Sequence, residues 1–297
     1  GKLKVTEMDT LNGETMLVVK KSDGTLATRM SSSLPPAPDT IRSLKSDLLL
    51  TSALCNCTSL PPAMIQSLLD NGYTIQNLIG FEVSLQDVLD AGLTVQDLLD
   101  GGLSIQYLLG EGLTIQYLLD GGQTPMNLYN AGVSLDSLYG KIYAGGLLFY
   151  LSANAGTGLV AAPPLWSGFE DPTAIWGCYG TNLPGAEGTA IGTGAQNTID
   201  IIAGCQATMA AGICGNLVLN GFNDWFLPSL DELNEMHLKI GFGATGPNEN
   251  IADFRSYAYY SSSEFDSENI RVQFFPAGNI EIYGKISPFF IRPIRAF

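Results

Sequence analysis

The chain has 297 residues, 45% hydrophobic and only 14% charged, enough for two ordinary domains with sizeable cores. Its net charge of −15 argues against sequence-independent binding of nucleic acid, which needs clustered cations, and against docking on anionic lipid. No stretch approaches the roughly 20 apolar residues of a membrane span, and the opening GKLKVTEMDT has no apolar signal-peptide core.

Residues 1–33 read as a β-hairpin element, with strands at 15–19 and 25–30 and a turn at Ser22-Asp23-Gly24. Residues 34–60 read as a Ser/Pro linker followed by a leucine-rich helix over 39–54. Cys55 and Cys57 then stand too close to bridge each other with good geometry.

Residues 61–140 carry an internal repeat with a ten-residue period. A hydroxyl recurs as Thr74, Ser84, Thr94, Ser104, Thr114, Thr124 and Ser134, and an aliphatic residue four places on as Leu78, Val88, Leu98, Leu108, Leu118, Leu128 and Leu138. Each hydroxyl reads as a helix N-cap. Pro125, directly after Thr124, sets the register, because proline is tolerated at the first helical position. The apolar residue before the cap and the aliphatic one four places after it form a hydrophobic staple. A glycine such as Gly92 or Gly102 stops each helix with a left-handed turn. Helices of about six residues are unstable alone, so the units are expected to stack on their apolar positions, within the chain or between chains.

From residue 141 the period ends. The segment 141–297 reads as an α+β domain: an opening strand over 143–151, a helix over 197–212, a helix over 230–240 capped by Ser229 and Glu232, and strands over 259–264 and 271–275. The chain has five cysteines, so at least one is unpaired. Cys178 and Cys205 are the candidate disulfide here, with free buried cysteines as the alternative. The one histidine, His237, lacks the partners that a zinc site or a catalytic triad would need, and is expected to be structural.

The motifs NGFNDWFLPSLDELNEM (220–236), YYSSSE (259–264) and IRPIRAF (291–297) resemble the Lcl C-terminal domain family, found at the ends of collagen-like bacterial adhesins. The resemblance covers roughly 141–297. It implies a C-type-lectin-like α+β fold, a bacterial surface or secreted protein, trimerisation at the end of a stalk, and binding of glycans or host matrix. A decapeptide array stands where that family carries collagen, and such arrays resemble those in surface proteins of Bacteroidetes-type bacteria.

Together these readings describe a multi-domain chain: a short N-terminal β element, an α-helical ten-residue repeat stalk over 61–140, and a C-terminal recognition domain. No enzymatic constellation stands out. Ser261, Ser262 and Ser263 lack a nucleophile elbow, and Gly185 to Gly194 lacks the lysine of a phosphate-binding loop. The acidic run Glu264, Asp266 and Glu268 is the candidate ligand surface, and calcium is the one candidate cofactor. Trp225 and Tyr259 are the candidate sugar-stacking rings, against the plainer alternative of core packing. Arg292 and Arg295 are expected to pair with internal carboxylates. The expected role is a self-assembling extracellular or cell-surface fibre or adhesin subunit. A carbohydrate-binding module on a spacer, or a tail-fibre-like component of a larger machine, is the alternative.

Overall fold

A computed structural model of the protein describes residues 60–205, 209–275 and 277–297, and the backbone of three strands before them. The chain forms two compact units, Gly1–Gly112 and Leu113–Phe297. A helical region is followed by a C-terminal domain of mixed sheets, so the chain is multi-domain and α+β. The expected boundary at 140/141 is not where the units divide: the last three ten-residue helices fall in the C-terminal unit.

The N-terminal unit opens with β1 (Lys4–Leu11), β2 (Glu14–Lys20) and β3 (Leu26–Arg29), an antiparallel sheet in that order. The hairpin reading had no place for β1. A register shift between Val5 and Glu7 breaks the alternation that would have marked this strand. The expected turn at Ser22–Gly24, the linker and helix of 34–60, and Cys55 and Cys57 lie outside the described residues.

Short helices then follow, starting every ten residues from Ile75 onward. They are α1 (Pro62–Asp70), α2 (Ile75–Gly80), α3 (Leu85–Asp90), α4 (Val95–Asp100) and α5 (Ile105–Gly110) in the first unit. The second unit continues with α6 (Ile115–Asp120), α7 (Pro125–Asn130) and α8 (Leu135–Leu138). The hydroxyls of Thr74, Ser84, Thr94, Ser104, Thr114, Thr124 and Ser134 each accept a backbone N–H three residues on, at 3.0–3.2 Å. At Thr94 the box is reciprocal, since the Asp97 carboxylate accepts Thr94 N–H at 2.8 Å. Those bonds, the Thr94 hydroxyl's first, hold the Asp97 carboxyl below the usual range.

The helices stop in a paired-bond turn. Leu103 N–H reaches Leu98 O at 3.1 Å, and Gly102 N–H reaches Leu99 O at 2.9 Å. That geometry puts Gly102 at φ +90°. Neighbouring Gly101 is needed for another reason: a Cβ there would stand 2.7 Å from Ile75 Cδ1. The apolar positions face inward, and Leu78, Val88, Leu98, Leu108, Leu118 and Leu128 are fully buried.

Stacking occurs within the chain and skips neighbours. In the first unit Gln76 Nε2 donates to Gly102 O at 3.1 Å, a separation of 26 residues. In the second, Gln116 makes a reciprocal pair with Ile142, again 26 residues away: its Nε2 donates to Ile142 O at 3.0 Å and its Oε1 accepts Ile142 N–H at 2.9 Å.

The C-terminal unit adds two sheets. One runs β12-β6-β5-β4, with β4 (Ile142–Tyr143), β5 (Gly146–Leu151), β6 (Gly158–Ala161) and β12 (Ile294–Ala296). The other runs β10-β9-β8-β11-β7, with β7 (Thr173–Ala174), β8 (Ala258–Glu264), β9 (Asn269–Phe274), β10 (Ile280–Gly284) and β11 (Phe289–Phe290). Only the β11–β8 pair is parallel. The helices are α9 (Gly194–Gly204), α10 (Ala210–Gly215) and α11 (Leu230–Ile240). The single helix expected over 197–212 is therefore two, with Cys205 closing the first. The core between α9, α10 and the larger sheet centres on Trp176, Ile201, Leu227, Tyr260, Val272 and Phe289.

His237, on α11, is buried edge-on to the Phe275 ring at 5.0 Å, and no partner to its Nδ1 is found among the described residues. Burial pushes its imidazole below the usual range. The unfolded chain then takes up this proton first, so stability is full above the unfolded value and falls as pH drops below it. Thermal melts should show a lower midpoint at about pH 5.5 than at pH 7.5, and His237→Leu should flatten that slope. Separately, Thr94→Ala should cost about 1 kcal/mol by denaturant titration, with faster amide exchange in α4.

Candidate functional site

The acidic run does not form a site. Glu264 is 0% exposed, its carboxylate in contact with the equally buried Lys285 ammonium and accepting Leu183 N–H at 2.9 Å. Lys285 also donates to Thr181 O at 2.8 Å and lies 4.9 Å from the Trp176 ring centre. Asp266 turns its oxygens back onto Glu268 N–H, Asn269 N–H and the Asn269 amide, at 2.7–3.0 Å. These bonds, the Asn269 side chain's first, keep its carboxyl below the usual range. Glu268 points to solvent. The three carboxylates diverge, and among the described residues no cluster of three or more His, Cys, Asp or Glu side chains is placed to hold a metal ion.

The two candidate rings are corrected as well. Trp225 is 2% exposed and Tyr259 0%, so neither can stack on a ligand. Tyr259 packs against Phe254, Phe275 and Phe290. Its hydroxyl donates to Asp171 Oδ2 at 2.6 Å, and burial pushes the phenol up.

That bond leads to the centre of the domain. Asp171, 1% exposed at its side chain, receives four hydrogen bonds. Arg292 supplies two, Nε to Oδ1 at 2.7 Å and Nη2 to Oδ2 at 2.6 Å. Trp166 Nε1 reaches Oδ1 at 2.7 Å, and Tyr259 supplies the fourth. Both oxygens are thus filled. Arg292 Nη1 donates onward to Ala162 O at 3.1 Å and Ala252 O at 2.9 Å, and the guanidinium lies 4.4 Å from the Phe254 ring centre.

These bonds clamp the loop 162–172 at both ends. Ala162 N–H bonds Pro293 O at 2.9 Å, and Ile291 N–H bonds Pro172 O at 3.1 Å, one on each side of Arg292. Inside the loop, Gly168 N–H reaches Leu165 O at 2.8 Å and the Ser167 hydroxyl reaches Glu170 O at 3.0 Å. Leu165 takes φ +62°, a conformation rare for a side chain of its kind. The loop turns Trp166 inward onto Asp171 and leaves two apolar groups outward: Phe169 is 81% exposed and Leu165 61%. Beside Phe169, Glu170 pairs with the half-exposed Arg255. Backbone strain, a buried ion pair and an exposed ring thus occur together on one short loop.

Sequence reasoning missed this loop. An apolar residue is normally assigned to the core. The available signal was Phe169 standing among Pro163, Pro164, Gly168 and Pro172 without any strand or helix period.

Two further anchors stiffen the domain around it. Arg295 grips Asp224 by Nε to Oδ1 at 2.7 Å and Nη2 to Oδ2 at 2.8 Å, while Nη1 donates to Ala144 O at 2.8 Å. The Arg295 bonds hold the Asp224 carboxyl below the usual range. Cys178 and Cys205 are bridged across a separation of 27 residues, with Cα atoms 5.5 Å apart. Closing a loop of that length restricts the unfolded chain by about 3 kcal/mol. Cys214 is a free, buried thiol.

Removing one member of the buried pair strands the other charge. Asp171→Ala should lower stability by about 3–5 kcal/mol in denaturant titration, and Asp171→Leu with Arg292→Met should recover much of that loss. No family model matches the chain, and no curated protein matches it.

Proposed function

We propose that the protein is a non-enzymatic fibre or adhesin subunit, extracellular or on the bacterial cell surface, with the short-helix array as stalk and the C-terminal domain as binding head. The observation that carries this reading is the clamped loop 162–172, which holds Phe169 and Leu165 out to solvent on a rigid base. A loop backbone already anchored when a partner arrives loses less entropy on binding.

Other features support the reading. The array buries its leucines by stacking along the chain, which suits a spacer. In the head, the last strand β12 pairs with β6 near the domain's start, a closed-loop arrangement in keeping with a C-type-lectin-like fold. The Cys178–Cys205 bridge fits an oxidising exterior. The motifs resembling Lcl C-terminal domains favour self-assembly, as a trimer, and a glycan or matrix ligand. A tail-fibre-like component would follow the same plan.

A second reading, a carbohydrate-binding module on a spacer, is favoured by one detail. The exposed Phe169 is followed in sequence by Glu170, which pairs with Arg255, so apolar and polar groups share the loop, as a saccharide site needs.

Glycan arrays and adhesion to immobilised matrix, with Phe169→Ala as comparison, test both. Phe169→Ala should weaken binding about tenfold or more without changing the melting midpoint. A sharp saccharide preference selects the second reading, and broad matrix adhesion the first. Binding that survives the substitution removes the loop from the site, and turnover of a bound saccharide overturns the non-enzymatic assignment.

A further inference from the structure

Among the described residues, the strand edges of the C-terminal unit are closed or very short, with one exception. The β4 edge is closed by Gln116, whose amide bonds both Ile142 N–H and Ile142 O. The β12 edge is closed by Phe226, which exchanges both bonds with Ile294 at 2.8 and 2.9 Å. The β7 edge is two residues long. The exception is β10, five residues at the end of the larger sheet.

Register shows which groups β10 leaves free. Phe274 N–H bonds Asn279 O and Lys285 N–H bonds Glu268 O, at either end of a ladder that pairs Glu281 with Val272 and Tyr283 with Ile270. In an antiparallel ladder the bonded pairs alternate, so Glu281 and Tyr283 bond inward to β9. The amide groups of Ile280 and Ile282 point outward, and among the described residues none of them has a partner. The side chains of Ile280 and Ile282 are each 50% exposed. β10 holds no lysine, proline or bulge; the one charge on this edge is the exposed Glu281, whose amide groups bond inward to β9.

We infer that β10 is an interaction edge whose partner is β10 of a second copy of this chain, paired antiparallel about a two-fold axis at Ile282. The sequence of the strand selects this occupant over an unrelated strand. With Ile282 opposite itself, Ile280 meets Gly284, which leaves room for its side chain; the Gly284 carbonyl already accepts Ser287 N–H at 3.0 Å, so the Ile282 pair carries the new ladder. Glu281 meets the half-buried Tyr283, a carboxylate beside a phenol, and the two Glu281 side chains are offset diagonally rather than opposed. Two chains of net charge −15 repel each other, so a self-contact has to keep its carboxylates apart, as this register does. The two five-stranded sheets then form one continuous sheet. The inference rests on the free edge alone and does not depend on what the head binds.

Sedimentation velocity of the full chain tests it with two variants. Ile282→Pro removes only an outward N–H, so the β9 ladder and the melting midpoint are retained. The wild-type assembly should have an even number of 31.6-kDa chains, and Ile282→Pro should halve its mass. Ile282→Cys should form a covalent dimer under mild oxidation, because a bonded antiparallel pair brings Cα atoms to about 5.5 Å, within disulfide reach. Ile280→Cys, opposite Gly284, should not form one above the wild-type background. A wild-type monomer overturns the inference, and leaves an unrelated strand as occupant. An assembly whose mass Ile282→Pro leaves unchanged also overturns it, while leaving the stalk-and-head function intact. Failure of Ile282→Cys to cross-link does the same, whatever Ile282→Pro shows.

Discussion

The C-terminal domain depends on one carboxylate. Asp171 lies out of water, where an unpaired charge would cost several kcal/mol, roughly enough to unfold a domain of ordinary stability. Four donors from three parts of the chain answer it. Arg292 comes from 121 residues away and Tyr259 from 88. The loop, the middle strand of the larger sheet and the last segment are therefore fixed relative to one another by a single group. Contacts of such separation close long loops and carry the entropy cost of doing so.

The short-helix array answers a different constraint. A six-residue helix has almost no intrinsic stability, and each end leaves polar groups to be satisfied. Local chemistry deals with the ends through the hydroxyl cap, the reciprocal carboxylate of Asp97 and the turn at Gly102. This is why the period, the caps and the register set by Pro125 were legible in the sequence: every signal lies within ten residues of the group it acts on. The separation of 26 residues between stacked positions was not legible, since it comes from the pitch of the packed array. Gln76 gives no local sign of its partner.

The same distinction separates success from failure in the head. The helix at Leu230–Ile240 was legible from Ser229 and Glu232, which cap it from three residues apart. The inward pairing of Arg292 and Arg295 was foreseeable because buried guanidinium groups need carboxylates. Tyr259 and Glu264 were read as ligand-facing because β8 is buried on both faces, leaving no alternation to show that they point into the protein. The motifs that carry the family resemblance turn out to supply Asp224, Tyr259, Glu264, Arg292 and Arg295, which are framework groups. Residues that hold a fold together make a recognisable signature without touching what the fold binds.

The side chain of Gln116 takes the place of a neighbouring strand at the edge of β4, offering one donor and one acceptor as a peptide group would. The C-terminal sheets are therefore not complete at the point where the decapeptide period ends. A chain cut at residue 141 would lose the amide that closes β4 and expose a pairing edge that the whole chain keeps covered. Three of the ten-residue helices thus belong to the same compact unit as the two sheets, Leu113–Phe297, although in the sequence they look like the helices before them.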